Sequence, residues 1–199
     1  RTPIRRFAQV LCPTEHRHAA LLEALAALLE EQAGVGQYAQ RQLLLSAGQA
    51  VTHLYFVESG LVRGYFYDEA SGKAITLHLW GVHALAVPVQ SFFLQRPSDV
   101  YLEVMTNSQL LSLSYQHLME AARRLPELQA ALQQLVLKAN QFHRQRAIAL
   151  LTRSAWQRYL DLLQTHPRIE HQVSKEVIAS YLGITPQSLS RLLRENGHP

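Results

Sequence analysis

The spacing of hydrophobic positions changes several times along the chain, and each change marks an element. From Thr14 to Ala33, Leu21, Leu22, Leu25, Leu28 and Leu29 recur at helical spacing. That stripe predicts an amphipathic helix packed on the next region. Its polar face lacks the basic residues that adsorption to a membrane surface would favour. From about Gln42 to Ser114 the apolar period shortens to two. Leu54-Tyr-Phe-Val57 runs into Ser59-Gly60, and then Val62, Gly64 and Phe66 alternate with Arg63, Tyr65 and Tyr67. Asp68 to Lys73 is polar, holds Gly72 and predicts a turn. Ile75, Leu77 and Leu79 follow on one side, with Thr76 and His78 on the other. Val100, Leu102 and Val104 alternate again, and Leu111 and Leu113 close the set. Short alternating runs between turns predict a small antiparallel barrel or roll.

Helical spacing returns at Ser114, and Pro126 opens the longest predicted helix. Leu128, Leu132, Leu135, Ala139 and Phe142 recur there in alternating steps of four and three. That repeat is the seam of a coiled coil, and it predicts a parallel homodimer. The alternative is one helix docked on its own domain. Arg146 takes the next seam position and ends the clean stripe. Ser154 to Leu163 predicts another helix, with Trp156, Tyr159, Leu160 and Leu163 facing inward, and His166-Pro167 ends it.

The last stretch, from Ser174 to Leu193, predicts two short helices around a tight turn. Ser174 is placed to cap the first helix by accepting from a free amide. Val177, Ile178, Tyr181 and Leu182 fall on one face. Gly183 suits a left-handed helix end. Thr185-Pro186 is a strong start signal: a hydroxyl cap, then a proline whose missing N–H costs nothing there. Leu189, Leu192 and Leu193 supply the buried face of the second helix, and Ala179 is small where the helices cross. Gln187, Ser188, Arg191 and Arg194 remain on the outer side. Hydrogen-bonding side chains near a helix start are what reading a DNA major groove requires. The alternative is an ordinary helical hairpin with a solvated polar face.

Composition narrows the function. The chain has 199 residues, 48% of them hydrophobic, with a formal net charge of +4, so it is globular and mildly basic, compatible with an acidic partner such as DNA. Cys12 is the only cysteine, so no intramolecular disulfide and no cysteine-based zinc or iron–sulfur site is expected. No apolar run reaches the length of a membrane span. A cytoplasmic location is the expectation. There is no nucleophile–base pairing, no glycine-rich phosphate loop and no paired-histidine metal spacing, so an enzyme is not expected and neither is a metal.

The order of roll, long helix and helix-turn-helix resembles the Crp–Fnr family of bacterial transcription regulators over essentially the whole chain. The resemblance is carried by His53-Leu-Tyr-Phe-Val-Glu-Ser-Gly-Leu-Val-Arg63, by Gly72-Lys73 before Ile75-Thr-Leu77, and by Ile178-Ala-Ser-Tyr-Leu-Gly-Ile-Thr-Pro-Gln-Ser-Leu-Ser-Arg191. It implies an α+β fold: an N-terminal antiparallel β-roll of the cyclic-nucleotide-binding type with flanking helices, a long dimerisation helix and a C-terminal helix-turn-helix. The expected division is 1–126, 127–152 and 153–199. The implied function is a homodimeric regulator of a near-palindromic operator, with double-stranded DNA and RNA polymerase as partners and a small-molecule effector of unknown identity.

On the resemblance, Gln187, Ser188 and Arg191 would read bases, while Lys175, Thr185, Ser190 and Arg194 would touch phosphates. The nucleotide site looks degenerate. Val87 and Pro88 stand where nucleotide-binding members carry glycine and glutamate, and Ser98 and Asp99 stand where they carry arginine and a hydroxyl residue. Pro88 cannot accept from a ribose, and Asp99 would repel a phosphate. Cyclic AMP is therefore not the expected effector, and no cofactor is required. An apolar cavity lined by Val87, Val89, Phe92 and Phe93 is expected instead. A haem-binding version stays open through His78 and His83 around Trp80-Gly81. It belongs to the alternative reading of the roll as a ligand or haem sensor, with DNA binding secondary.

Overall fold

The computed structural model describes residues 2–12 and 19–197. It opens with α1 (Thr2–Leu11) and α2 (Ala19–Gln32). The expected start of the second helix at Thr14 lies outside the described residues. In α2, Leu21, Leu25 and Leu29 are buried as the stripe predicts. Helix α1 buries Ile4, Phe7, Ala8 and Leu11, which recur at helical spacing.

Strands β1 (Gly34–Tyr38), β2 (Leu43–Leu45), β3 (His53–Ser59), β4 (Val62–Tyr67), β5 (Ala74–Trp80) and β6 (Leu85–Ala86) follow, then the short helix α3 (Val89–Leu94), β7 (Tyr101–Val104) and β8 (Ser108–Ser114). They form two antiparallel sheets, ordered β1-β8-β3-β6 and β2-β7-β4-β5. The alternating runs of the sequence are β3, β4, β5, β7 and β8. The others are too short, or in β1 too exposed and glycine-containing, to show a period. Between β3 and β4 the chain reverses at Gly60, whose φ is +98° and where a Cβ would lie 1.9 Å from Ser108 Oγ. Only glycine fits that turn. Leu54 and Phe56 of β3 are fully buried in the roll core with Leu102 and Leu110, and Phe7 of α1 stacks on Phe56 at 5.2 Å.

Helix α4 (Tyr115–Arg124) leads to α5 (Pro126–Thr152). Of the residues expected at the dimer seam, Leu128 and Leu132 are buried within the chain itself, while Leu135, Ala139 and Phe142 are half-buried. Leu128 and Leu132 are 0% and 6% exposed within the chain's own core, and Leu135 packs against that core. Ala139 faces a cavity between α5 and the roll, and Phe142 stacks on His78 of β5 at 4.2 Å. A four-three period reports that one side of a helix is buried; it does not name the surface that buries it. Arg146 continues the same line rather than ending it. Its Nη2 donates to the Tyr181 carbonyl at 2.9 Å and its guanidinium sits 3.8 Å from the Tyr181 ring centre.

Four helices follow among the described residues: α6 (Ala155–Thr165), α7 (Ile169–Gln172), α8 (Lys175–Leu182) and α9 (Pro186–Glu195). Ser154 begins α6 with a reciprocal capping box to Gln157. Tyr159 and Ile169 are fully buried, in one cluster with Ile178, Leu182 and Leu189, and Leu61 and Leu79 of the roll belong to that same cluster. Leu160, expected inward, is 40% exposed; the buried side of α6 runs through Tyr159 and Leu162 instead.

Leu128→Ala is expected to lower the unfolding free energy by about 2–5 kcal/mol, because it opens a cavity inside the chain. Leu94→Ala, at a site 52% exposed, should stay within about 0.5 kcal/mol. Urea unfolding of the two variants checks this, and equal costs would contradict the inward placement.

Candidate functional site

Helix α8, its turn and α9 are built largely as their residues dictate. Ser174 occupies the first cap position, but its hydroxyl caps no backbone amide. Glu176 takes over that end: its carboxyl is held below the ordinary range first by its own backbone N–H and then by the Ser174 side chain. Val177, Ile178, Ala179 and Leu182 are buried, and Tyr181 is half-buried. Gly183 has φ +70°, and a Cβ there would meet Leu150 Cδ2 at 3.0 Å. Thr185 caps α9 by accepting from the Ser188 N–H at 3.1 Å, with Pro186 directly after it. Leu189 and Leu193 are buried, and Leu192 is half-buried.

Gln187, Arg191 and Arg194 are exposed, and their spacing puts them on one side of α9. Arg191 Nε stands 3.8 Å from Glu195 Oε1, with both side chains about two-thirds exposed. Such a pair is worth at most about 1 kcal/mol, so a stronger acceptor displaces it. Ser188 is half-buried, and its Oγ accepts from the Thr185 hydroxyl at 2.9 Å. Both hydroxyls are therefore partly engaged in the cap. Ser190 is half-buried, while Lys175 is exposed in the first turn of α8. The surface thus presents a guanidinium fork and a carboxamide near one helix start, flanked by two further cations.

Behind this surface α8 docks on β5. Ser180 Oγ accepts from the Thr76 N–H at 2.6 Å and lies 3.0 Å from Thr76 Oγ1. Thr76 Oγ1 in turn accepts from Arg63 Nε at 2.8 Å. Arg63 is 7% exposed; its Nη1 lies 3.9 Å from Glu103 Oε2, and its guanidinium sits 4.4 Å from the Tyr65 ring centre. The β4–β5 register shifts here, with Gly64 opposite His78 and Tyr65 opposite Thr76, so Leu77 is an extra residue. Such a bulge resets which side of a strand each residue faces. Thr76 and Leu79 therefore meet the C-terminal helices, while Leu77, His78 and Trp80 line the cavity on the other side. The strict alternation expected for Ile75 to Leu79 does not hold.

That cavity, about 390 Å³, lies between α5 and the roll. Val87, Pro88 and Asp99 of the degenerate nucleotide site line it. Ser98 does not: it is buried, with its hydroxyl donating to the Val100 carbonyl at 2.7 Å. Val89 lines the cavity as expected, whereas Phe92 and Phe93 do not. Phe92 is fully buried in the core against Phe93 and Tyr115. His78 lies between Trp80 at 4.1 Å and Phe142 at 4.2 Å. Burial, then His143, Arg146 and His166 in that order, push its pKa down to about 3. His83, the other histidine of the turn, points elsewhere: it stacks on Phe56 and lies 3.4 Å from Arg6 Nη1.

Comparison with known proteins follows the same outline. Residues 35–124 match the family described as the cyclic nucleotide-binding domain. None of the curated proteins matches the chain in sequence. Among solved structures, FixK2 from Bradyrhizobium japonicum is 18% identical over 83% of this chain and 86% of its own, with a TM-score of 0.71. The c-di-GMP responsive global regulator CLP from Xanthomonas campestris is 18% identical over 90% and 91%, with a TM-score of 0.68. A transcriptional regulator of the crp/fnr family from Eubacterium rectale is 17% identical over 89% and 82%, also at 0.68. At these identities the likeness is one of fold.

Ser180→Ala should cost about 1–3 kcal/mol, because the buried Thr76 N–H loses its acceptor. Faster hydrogen exchange of α8 amides, with the β3–β8 pairing unchanged, is the expected reading. The half-buried His78 adds a pH dependence. Its pKa is depressed in the fold from 6.5 to about 3, so on acidification the unfolded chain takes up the proton first. Its contribution is complete above the ordinary histidine pKa and is lost progressively as the pH falls through the window down to the folded value. Between about pH 7 and about pH 5, the urea midpoint should fall more steeply in the wild type than in His78→Phe.

Proposed function

We propose that this chain, which carries a cyclic nucleotide-binding domain over residues 35–124 and the fold of the Crp/Fnr regulators over most of its length, is a DNA-binding transcription regulator that works as a homodimer, not an enzyme. The observation that carries this reading is the outward side of α9. Gln187, Arg191 and Arg194 are exposed there, on a helix whose other side is buried in its own domain. Arg191 reads guanine, since its planar fork matches the two acceptors on that base edge in the major groove. Gln187 and Ser188 read beside it. Lys175, Thr185, Ser190 and Arg194 contact phosphates, which set position without reading sequence. Residues 1–126 sense, 127–152 link and 153–199 read.

The partner of α5 is a second copy of the chain. With the inner stripe committed to the roll, the seam falls on the opposite side, where Leu137, Ile148 and Leu151 are 57%, 47% and 86% exposed. Arg144 shares that line. The spacing from Leu137 through Arg144 and Ile148 to Leu151 keeps the heptad step, so two copies can pair along it. Because α5 runs straight on to the C-terminal helices, pairing it doubles the reading helix. Half-sites would then lie about one helical turn, ~34 Å, apart. The effector occupies the cavity between α5 and the roll, and it is not a cyclic nucleotide: Pro88 offers a ribose no carboxylate, and Asp99 repels a phosphate.

Arg191→Ala is expected to weaken operator binding by about 1–3 kcal/mol and to relax preference at one base pair, whereas Lys175→Ala weakens all DNA about equally and lowers the salt slope by about one. Equal losses from both on every sequence would remove the base-reading assignment. Leu137→Glu combined with Leu151→Glu should give a monomer by sedimentation equilibrium, with the fold kept. Selection from random DNA should return a two-fold symmetric site; a chain that stays single and ignores duplex at low salt would overturn the reading.

A further inference from the structure

The cavity between α5 and the roll has a chemistry that selects its occupant. One wall is a continuous run of rings, Trp80, His78 and Phe142, stacked at 4.1 and 4.2 Å. The remaining inner lining is mostly aliphatic, including Leu77, Val87, Val89 and Leu135. Charge is confined to exposed rim positions, where Lys138 and Asp99 carry opposite signs. His78 is the polar group on the ring wall. Among the described residues no hydrogen bond reaches either of its ring nitrogens, although it lines the cavity. Gly64 shapes the same wall: a Cβ there would lie 2.9 Å from Trp80 Cζ3, so its absence leaves room for the indole.

We infer that this cavity binds an uncharged, planar aromatic molecule with a hydroxyl or amide group, stacked along the Trp80–His78–Phe142 wall and hydrogen-bonded to His78. The volume of about 390 Å³ is at the small end of the range for ligand sites, about 300–1,000 Å³, and suits a compact bicyclic molecule. Offset or edge contact with the ring wall favours an aromatic partner over an aliphatic one of equal area. A neutral imidazole offers one donor and one acceptor, which a hydroxyl or amide can satisfy and a carboxylate or phosphate cannot. Binding an ion would require desolvating it against apolar walls, with no buried counter-charge in the lining. The inference deepens the regulator reading by naming the effector class, and rests on that reading only for any effect on DNA.

The test uses the full chain with Trp156→Phe, which leaves Trp80 as the one tryptophan, and 2-naphthol as the probe. Saturable quenching of Trp80 fluorescence, matched by calorimetry at one probe per chain, is expected. Ala139→Phe fills the cavity and should weaken binding at least about tenfold. His78→Phe keeps the ring wall and removes the hydrogen bond; it should weaken 2-naphthol about tenfold while leaving naphthalene unchanged. 2-Naphthoate and cyclic AMP should bind weakly or not at all. Absence of saturable quenching, tighter binding of the anions, or affinity unchanged in both cavity variants would overturn the inference. If Ala139→Phe does not fold, His78→Phe decides. Arg191→Ala lies outside the cavity and should bind the probe like the parent, so loss of DNA reading and loss of probe binding are separable.

Discussion

Leu128, Leu132, Leu135, Ala139, Phe142 and Arg146 lie along one side of α5, and both halves of the molecule close on that line. The roll covers its first part, through the core around Leu128 and Leu132. The C-terminal helices cover its last part, through the Arg146 contacts with Tyr181. Each fully buried leucine contributes about 1.5–3 kcal/mol, so the roll end of α5 is firmly held. At the other end Arg146 adds a hydrogen bond and a cation–π contact, beside the Arg153–Asp161 ion pair just past the helix, attachments that are more directional.

Strand β5 is the second shared element. Its bulge at Leu77 sends Thr76 and Leu79 towards α8 and the helices around it, and His78 and Trp80 towards the cavity. Four residues of one strand thus bound two different environments. The polar side is satisfied throughout, from Ser180 through Thr76 to Arg63. The cavity side is not, since among the described residues no hydrogen bond reaches the His78 nitrogens. Any group that engages His78 acts on a strand whose reverse side holds the helix-turn-helix. The two are separated by one layer of backbone.

The charges are arranged accordingly. Arg191, Arg194 and Lys175 stand in solvent at the outer surface, where a partly hydrated cation keeps its long-range attraction for an anionic duplex. Inside, Arg63 is neutralised by Glu103 and packed over Tyr65, and His78 stays uncharged because burial penalises the cation. The molecule is basic where a polyanion would approach and neutral where a small molecule would be enclosed.

The element order, the roll, the length of α5 and most of the caps around the turn were legible in the residues themselves. So was the outward set on α9, because Gly183, Thr185 and Pro186 carry their own conformational preferences wherever they stand. The missing letters were those whose meaning depends on a neighbour distant in sequence. The apolar side of α5 could equally have met a second chain, and only the position of the roll assigned it inward. The alternation of β5 was lost to a bulge that depends on how β4 pairs with it. Ser174 caps no backbone amide, and Glu176 bonds at that same helix end; Leu160 stayed exposed because the buried side of α6 runs through Tyr159 and Leu162. Local patterns declare which groups avoid water or prefer a backbone shape, since those energies belong to single residues; which surface meets which is settled by the folded chain, because burial is a property of pairs.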